Sequence, residues 1–347
     1  MLNDFSRRLL RRLRNTALAL ATAPAKSAGR PSEARPAYVA AVCAFLVYAS
    51  LLSACTSTRP VAKIGLLAPF EGLYRQSGYE ALAAMRAALA DHQPPNIEVL
   101  PLALDTSADP EQARRAAAKL LRDDSVAAVI GPLQAPQVSA VSGIFAGSEV
   151  EGHFPLAPRP PDEEEALVRA LMVQFDGLHI VQAGRNDHWP YLAGDKKPTG
   201  EEDSAAAAAE GKYVASMDGV LWLGDAPSGA AFLTRLRPYS RTIPFWTTSV
   251  GGDPVFSQLL AVHLDRETLG PVYWALALDG SVTEEHYLEW AASHQPGTPT
   301  AFAVYLATQR ALEQIAGIVK PSVTPKLAIF RLDLEGSSHL VEFVSYP

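Results

Sequence analysis

Between residues 61 and 132 three short apolar runs alternate with two stretches of helical period, and this alternation restricts the fold more than any other feature of the chain. "VAKIGLLAPF" (61–70) reads as a buried strand. "YEALAAMRAALADH" follows, with Tyr79, Leu82, Met85 and Leu89 on one helical face, and Pro94-Pro95 ends it. "IEVLPLAL" (97–104) is the next strand. In "DPEQARRAAAKLLRDD", Asp109 caps, Pro110 suits the first helical position and Gln112 reaches back as in a capping box. Ala113, Ala117, Leu120 and Leu121 form the inner face of that helix. "VAAVIGP" (126–132) is a third strand ending at a Gly-Pro turn. Strand, helix, strand, helix, strand implies right-handed crossovers and a parallel sheet covered on both sides.

The pattern breaks at the Pro- and acid-rich "APRPPDEEE" (157–165) and restarts with strands at "GLHIVQAG" (177–184) and "DGVLWLGD" (218–225). The polar, Ala-rich segment 194–212 between them reads as a loop with one short helix. "SGAAFLTRLRPY" is a helix, and "TIPFWTTS" (242–249) and "GPVYWALAL" (270–278) are further strands. A long helix is predicted over 299–319, with Phe302, Tyr305, Leu306, Leu312 and Ile315 among its apolar positions. The end of the chain reads as a hairpin turning at Glu335-Gly336-Ser337-Ser338.

The first 54 residues are of another kind. Eight Lys and Arg precede or border the uncharged run Ala37 to Ala54, against only Asp4 and Glu33. Basic residues, an apolar stretch and then small residues are the order of an export signal. The run is 18 residues, long enough to span a bilayer as an uncleaved anchor. Leu52-Ser53-Ala54-Cys55 resembles the bacterial lipoprotein box, in which the cysteine is lipidated and becomes the first mature residue. Acyl chains on Cys55 would hold a soluble domain at a membrane surface through buried methylenes. Cys43 lies inside the apolar run and would leave with a cleaved signal, so residues 1–54 are read as a lipoprotein signal peptide.

Residues 55–347 then hold 22 basic and 35 acidic side chains, a net charge of −13. So acidic a surface repels nucleic-acid phosphates and makes nucleic acid an improbable partner. Enzyme motifs are not evident: the eight histidines show no metal-ligand spacing, and no G-x-S-x-G, P-loop or G-x-G-x-x-G follows the first strand. The reading is a non-enzyme without a cofactor, with a hydrolase on an α/β fold as the enzymatic rival.

Three segments, "KIGLLAPFEGLYRQSGYEALAAMRAALAD", "DPEQARRAAAKLLRDDSVAAVIGPLQAP" and "TPTAFAVYLATQRALEQI", resemble the type I periplasmic solute-binding proteins of the leucine/isoleucine/valine-binding kind, which serve ABC importers. The likeness covers most of residues 60–347 and thins over 159–217, where this chain is shortened. It implies an α/β fold of two lobes, mostly parallel sheets with helices on both faces and a ligand cleft between them. Lobe 1 is expected over 60–160 and 280–322, lobe 2 over 161–279 and 323–347. The implied function is an extracytoplasmic lipoprotein that captures a small polar ligand for an ABC permease, held at the membrane by its lipid anchor. A rival on the same fold is a ligand-free envelope lipoprotein that regulates other proteins, as peptidoglycan-synthase activators do.

Carried over position by position, the resemblance implies ligand contacts at Tyr74, in the loop after the first strand, and at Gln134 and Ala135, where amino-acid binders place a serine pair. It implies further contacts at Ala157 and Arg159, and in the second lobe at Asp225 and Ser249. The acid that holds an α-ammonium in relatives is matched by Ser249, so Asp225 or Asp253 is left to substitute, while Arg159 or Arg185 would take a carboxylate. Trp189 and Tyr191 occupy a loop of the kind that makes ligand contacts. With two amino-acid-recognising devices replaced, the expected ligand is not a standard branched-chain amino acid. Each residue also has a plainer role: Asp225 and Asp253 as helix caps, Tyr74 as loop packing, the arginines as solvated surface.

Overall fold

The computed structural model describes residues 59–156, 180–183, 217–318 and 324–345. Cys55, the apolar run before it, Ala157, Arg159, Arg185, Trp189, Tyr191 and the short Ala-rich helix lie outside the described residues.

The described chain builds two sheets rather than one. The first has β1 (Val61–Ala68), β2 (Glu98–Asp105), β3 (Val126–Ile130) and β4 (Glu151–His153) in the order β2-β1-β3-β4, all parallel. The second has β5 (Ile180–Ala183), β6 (Gly219–Trp222), β7 (Phe245–Thr247), β8 (Val272–Leu278), β9 (Lys326–Leu332) and β10 (Ser338–Ser345) in sequence order. β5 to β8 run parallel, and β9 and β10 add antiparallel at the far edge. The helices of the first half are α1 (Arg75–His92), α2 (Pro110–Leu120) and α3 (Ala135–Ala146). Those of the second are α4 (Ala226–Leu236), α5 (Pro254–His263), α6 (Arg266–Leu269), α7 (Glu284–Ser293) and α8 (Pro299–Ile315). α8 returns to the first half and packs along α1.

Local chemistry explains where these elements start. Asp109 caps α2 by accepting from the Gln112 amide N at 2.7 Å, as expected. The capping box is not completed: the Gln112 side chain turns to the Asp105 carboxylate at 3.0 Å and to Ser107 at 3.1 Å. Asp105 is thereby a hub that also accepts from the Phe70 backbone N at 2.7 Å and clamps the loop after β1. Burial pushes its carboxyl up, but the bonds from Ser107 and Phe70 outweigh that and hold it below the usual carboxylate range.

The inner face of α1 differs from the one its spacing predicts. Tyr79 is 57% exposed and packs edge-on against Phe70, while Ala81, Ala84, Met85, Ala88 and Leu89 make the buried stripe. Small side chains let a helix lie close to what it packs against, so the buried stripe is set by size as much as by hydrophobicity. In α2 the stripe is Ala113, Ala116, Ala117 and Leu120, with Leu121 only half-buried. The strands predicted at 61–70, 126–132, 218–225, 242–249 and 270–278 are found shorter at their ends, that at 97–104 is shifted to 98–105, and the long helix stops at Ile315 rather than 319.

Gly78 fixes how the ligand-side loop folds back over α1. A Cβ there would lie 1.8 Å from the Pro69 carbonyl oxygen, a contact that only moving the loop relieves. Gly78→Ala is therefore expected to cost about 1–3 kcal/mol, as overpacking does. Denaturant unfolding measures it, and an unchanged midpoint with unchanged slope would refute the close approach.

Candidate functional site

The parallel strands of both sheets end toward one crevice, and the segments leaving those ends line a cavity of about 680 Å³. The first half contributes Tyr74, Ser77, Glu80 and Ala81 after β1, Ala108 after β2, Leu133 to Gln137 and Ser139 after β3, and Leu156 after β4. The second contributes Leu223 to Ser228 after β6 and Thr248 to Val250 with Gly252 to Pro254 after β7. Thr300, Ala301 and Val304 of α8 complete the wall. A crevice outside the carboxyl ends of parallel strands is where open α/β sheets bind ligands, and this volume suits a small molecule.

Of the residues singled out from the sequence, Tyr74, Gln134, Ala135, Asp225 and Ser249 all line this cavity. Asp253, offered above only as a substitute acid, lies among them. Two bonds join the halves across it, and a third, between Gln76 and Gln258, lies outside its lining. Ser77 Oγ donates to Asp253 Oδ1 at 3.1 Å, Ser249 Oγ donates to the Leu156 carbonyl, and the Gln258 amide donates to Gln76 Oε1 at 2.6 Å. Ser249 is thus a bridge between the halves rather than a bare ligand contact. Ser77, Glu80, Gln137 and the α8 residues were not anticipated; their polar members stand on helices, where sequence reads them as solvated face.

Asp253 is the most perturbed acid of the site. Burial raises its carboxyl to about 6, and the Glu80 charge adds to the rise. Hydrogen bonds from the Val255 backbone N, at 2.9 Å, and from Ser77 oppose it. The Gln134 amide lies near enough to temper the rise but outside hydrogen-bond geometry. Tyr74 is pushed up to about 12 by burial and by the charges of Asp253 and Asp225, so its phenol keeps its proton at neutral pH.

The N-termini of α3, α4 and α5 meet here, beside those of α1 and α8. Asp225 caps α4 by accepting from Ser228 N at 2.8 Å, and Asp253 caps α5. Gln134 stands at the cap of α3 with no side-chain cap bond. Each of the three has proline in its first positions, Pro136, Pro227 and Pro254. Gln134 leaves both atoms of its buried side-chain amide without a partner among the described residues, and Gln137, 1% exposed, leaves Nε2 so.

Residues 61–170 match the profile of the family described as periplasmic binding protein. Among curated proteins no sequence matches. Solved structures do match in fold. A leucine-binding protein of Thermotoga maritima is 14% identical with a TM-score of 0.59, covering 82% of this chain and 99% of its own. A branched-chain amino acid transporter substrate-binding protein of Streptococcus pneumoniae, in complex with isoleucine, is 12% identical with a TM-score of 0.57, covering 82% and 99%. A solute-binding protein of an ABC transporter of R. palustris, in complex with 4-hydroxybenzoate, is 13% identical with a TM-score of 0.55, covering 83% and 98%. The fold of this chain is the two-lobed type I periplasmic-binding-protein fold.

Proposed function

We propose that the protein is an extracytoplasmic solute-binding protein that holds a small ligand in this cavity and presents it to an ABC permease, making and breaking no bond. The observation that carries the reading is the cavity itself. Its walls come from the strand ends of both sheets, and it retains buried amides that a hydrogen-bonding guest would satisfy. Ligand contacts with both halves would favour closure, as in hinge-closing receptors. Lobe 1 would comprise 60–160 with 280–322, and lobe 2 161–279 with 323–347. Tyr74, Gln134, Ala135, Asp225 and Ser249 would form part of the ligand shell, with Ala157 and Arg159 as further candidates. Acylation at Cys55 would tether the protein to the membrane.

The structural neighbours bind ligands as different as isoleucine and 4-hydroxybenzoate, so they leave the guest of this chain open. A cavity with unpartnered polar atoms also weighs against a ligand-free regulatory role. The test is to purify the full chain without denaturation, release whatever it carries and identify it by mass spectrometry. The released compound is expected to raise the thermal midpoint when added back, with a stabilisation of about 2.7 kcal/mol at a hundredfold excess over Kd. A protein that releases nothing, and that no fraction of a metabolite extract stabilises, would refute the reading.

A further inference from the structure

We infer that the cleft, on the solute-binding reading above, takes a protonated amine with an uncharged, largely apolar body and no carboxylate. Three carboxylates line the cavity, those of Glu80, Asp225 and Asp253, and among the described residues no lysine, arginine or histidine lines it. A carboxylate ligand would meet negative charge with no cation among the described residues to pair it, and an unpaired charge in such a site is costly.

The other device that could receive an anion is a helix N-terminus, through its free N–H groups and the positive end of its dipole. At α3, α4 and α5 that device is largely spent, and the N-terminus of α1, which borders the cavity at Tyr74, carries Glu80 in its second turn. Two of the first three N-termini already hold an aspartate, Asp225 on α4 and Asp253 on α5. The third, on α3, has lost one donor to Pro136, and the amides of Gln137 and Val138 both point back to the Gln134 carbonyl at 3.1 Å. Proline likewise removes a donor from α4 and α5.

What the cavity does offer suits a cation. Both hydrogen bonds to the Asp253 carboxylate fall on Oδ1, from Ser77 and from the Val255 backbone, which leaves Oδ2 for an ammonium. The buried Gln134 amide adds an acceptor oxygen without a partner, and the buried nitrogens of Gln134 and Gln137 add donors for a neutral oxygen or a bridging water. Alanine, leucine, valine and proline make up much of the remaining wall, which calls for hydrocarbon rather than further charge. Asp253 is the residue that selects the charge of the guest, because its half-buried carboxylate has no basic partner among the described residues of the wall.

The experiment uses shape-matched probes that differ only in charge: benzylamine, benzamide and benzoate, and isoamylamine, isovaleramide and isovalerate. Thermal midpoints and calorimetric Kd values of the full chain are measured at pH 7.5 and constant ionic strength, up to millimolar probe. An amine is expected to bind at least about tenfold tighter than its amide and carboxylate counterparts. Asp253→Asn should remove that preference, and Glu80→Gln, which leaves the cap of α5 intact, should weaken it. Preference for a carboxylate or a neutral amide overturns the amine assignment and leaves the solute-binding reading standing. An amine preference that survives both substitutions overturns the assignment of the charge selector. If no probe of any class binds, the amine assignment falls; if, in addition, no small molecule copurifies, the solute-binding reading falls with it.

Discussion

At pH 8 the ligand-free Asp253→Asn variant is expected to be more stable than the wild type by about 2 kcal/mol, and at pH 4 the two should unfold together. The sign follows from the direction of the shift. The carboxyl rises from 3.8 to about 6 on folding, chiefly because burial disfavours its charge. Between those values the folded protein holds the proton that the unfolded chain has released, so wild-type stability falls as pH rises through this window. Above it the full penalty is in place. Asparagine carries no charge to bury, still offers an oxygen to Ser77 and Val255, and remains a good helix cap. The other groups that bear on this carboxyl are Glu80 and Tyr74 on the first-half side, with the uncharged Ser77 and Gln134. Asp225 approaches Tyr74 from α4. No cation among them offsets the cost, which a positively charged guest would. The variant should therefore gain stability while empty and lose it when the amine is present, a reversal that urea titrations at both pH values with and without benzylamine would read. An Asp253→Asn protein less stable than wild type at pH 8 would show that the carboxylate is already compensated within the fold.

Much of the fold was legible because the chain announces its elements by local chemistry. Asp109-Pro110, Asp225-Ala226-Pro227 and Asp253-Pro254 each mark a helix start, and the aspartates cap as their position suggests. Apolar runs such as β1 and β3 are parallel strands largely buried on both faces, which read as continuous hydrophobic stretches. The cleft was legible only where a loop follows a strand directly, as at Tyr74, Gln134, Asp225 and Ser249. Ser77 and Glu80 were not, because a polar residue on a helix face looks solvated until another segment is brought against it. The partner of Ser77 lies 176 residues away, and no local pattern encodes that meeting. Tyr79 fails in the opposite direction: its spacing fits the inner face, yet alanines fill much of the buried stripe and the ring lies outside.

Arg237 makes the same point with a larger energy, and its replacement by methionine is expected to cost about 3–5 kcal/mol. In "TRLRPY" nothing separates it from Arg235, but Arg237 is 1% exposed and Arg235 lies on the outer side of α4. Its Nε donates to the Leu269 carbonyl at 2.5 Å, one terminal nitrogen to Ile243 at 2.7 Å and Ser240 at 3.4 Å, and the other to Pro271 at 3.0 Å. The guanidinium thus ties the end of α4 to the segments entering β7 and β8, and burial lowers its pKa to about 10, which leaves it charged at neutral pH. Gly270 belongs to the same arrangement: its φ of +63° and the 3.0 Å from its ideal Cβ position to the guanidinium carbon leave no room for a side chain. Methionine fills comparable space but satisfies none of those carbonyls, and lysine, a compact ammonium without the planar fork, should recover only part of the loss. For a unit of this size the methionine variant should melt about 10 °C lower. These contacts sit at the strand entrances, at the opposite end of the second sheet from the cavity, so the folded fraction should keep the probe selectivity of the wild type. A melting point within a degree or two of wild type would mean that water satisfies the carbonyls, and altered selectivity would mean that the two ends of the sheet are coupled.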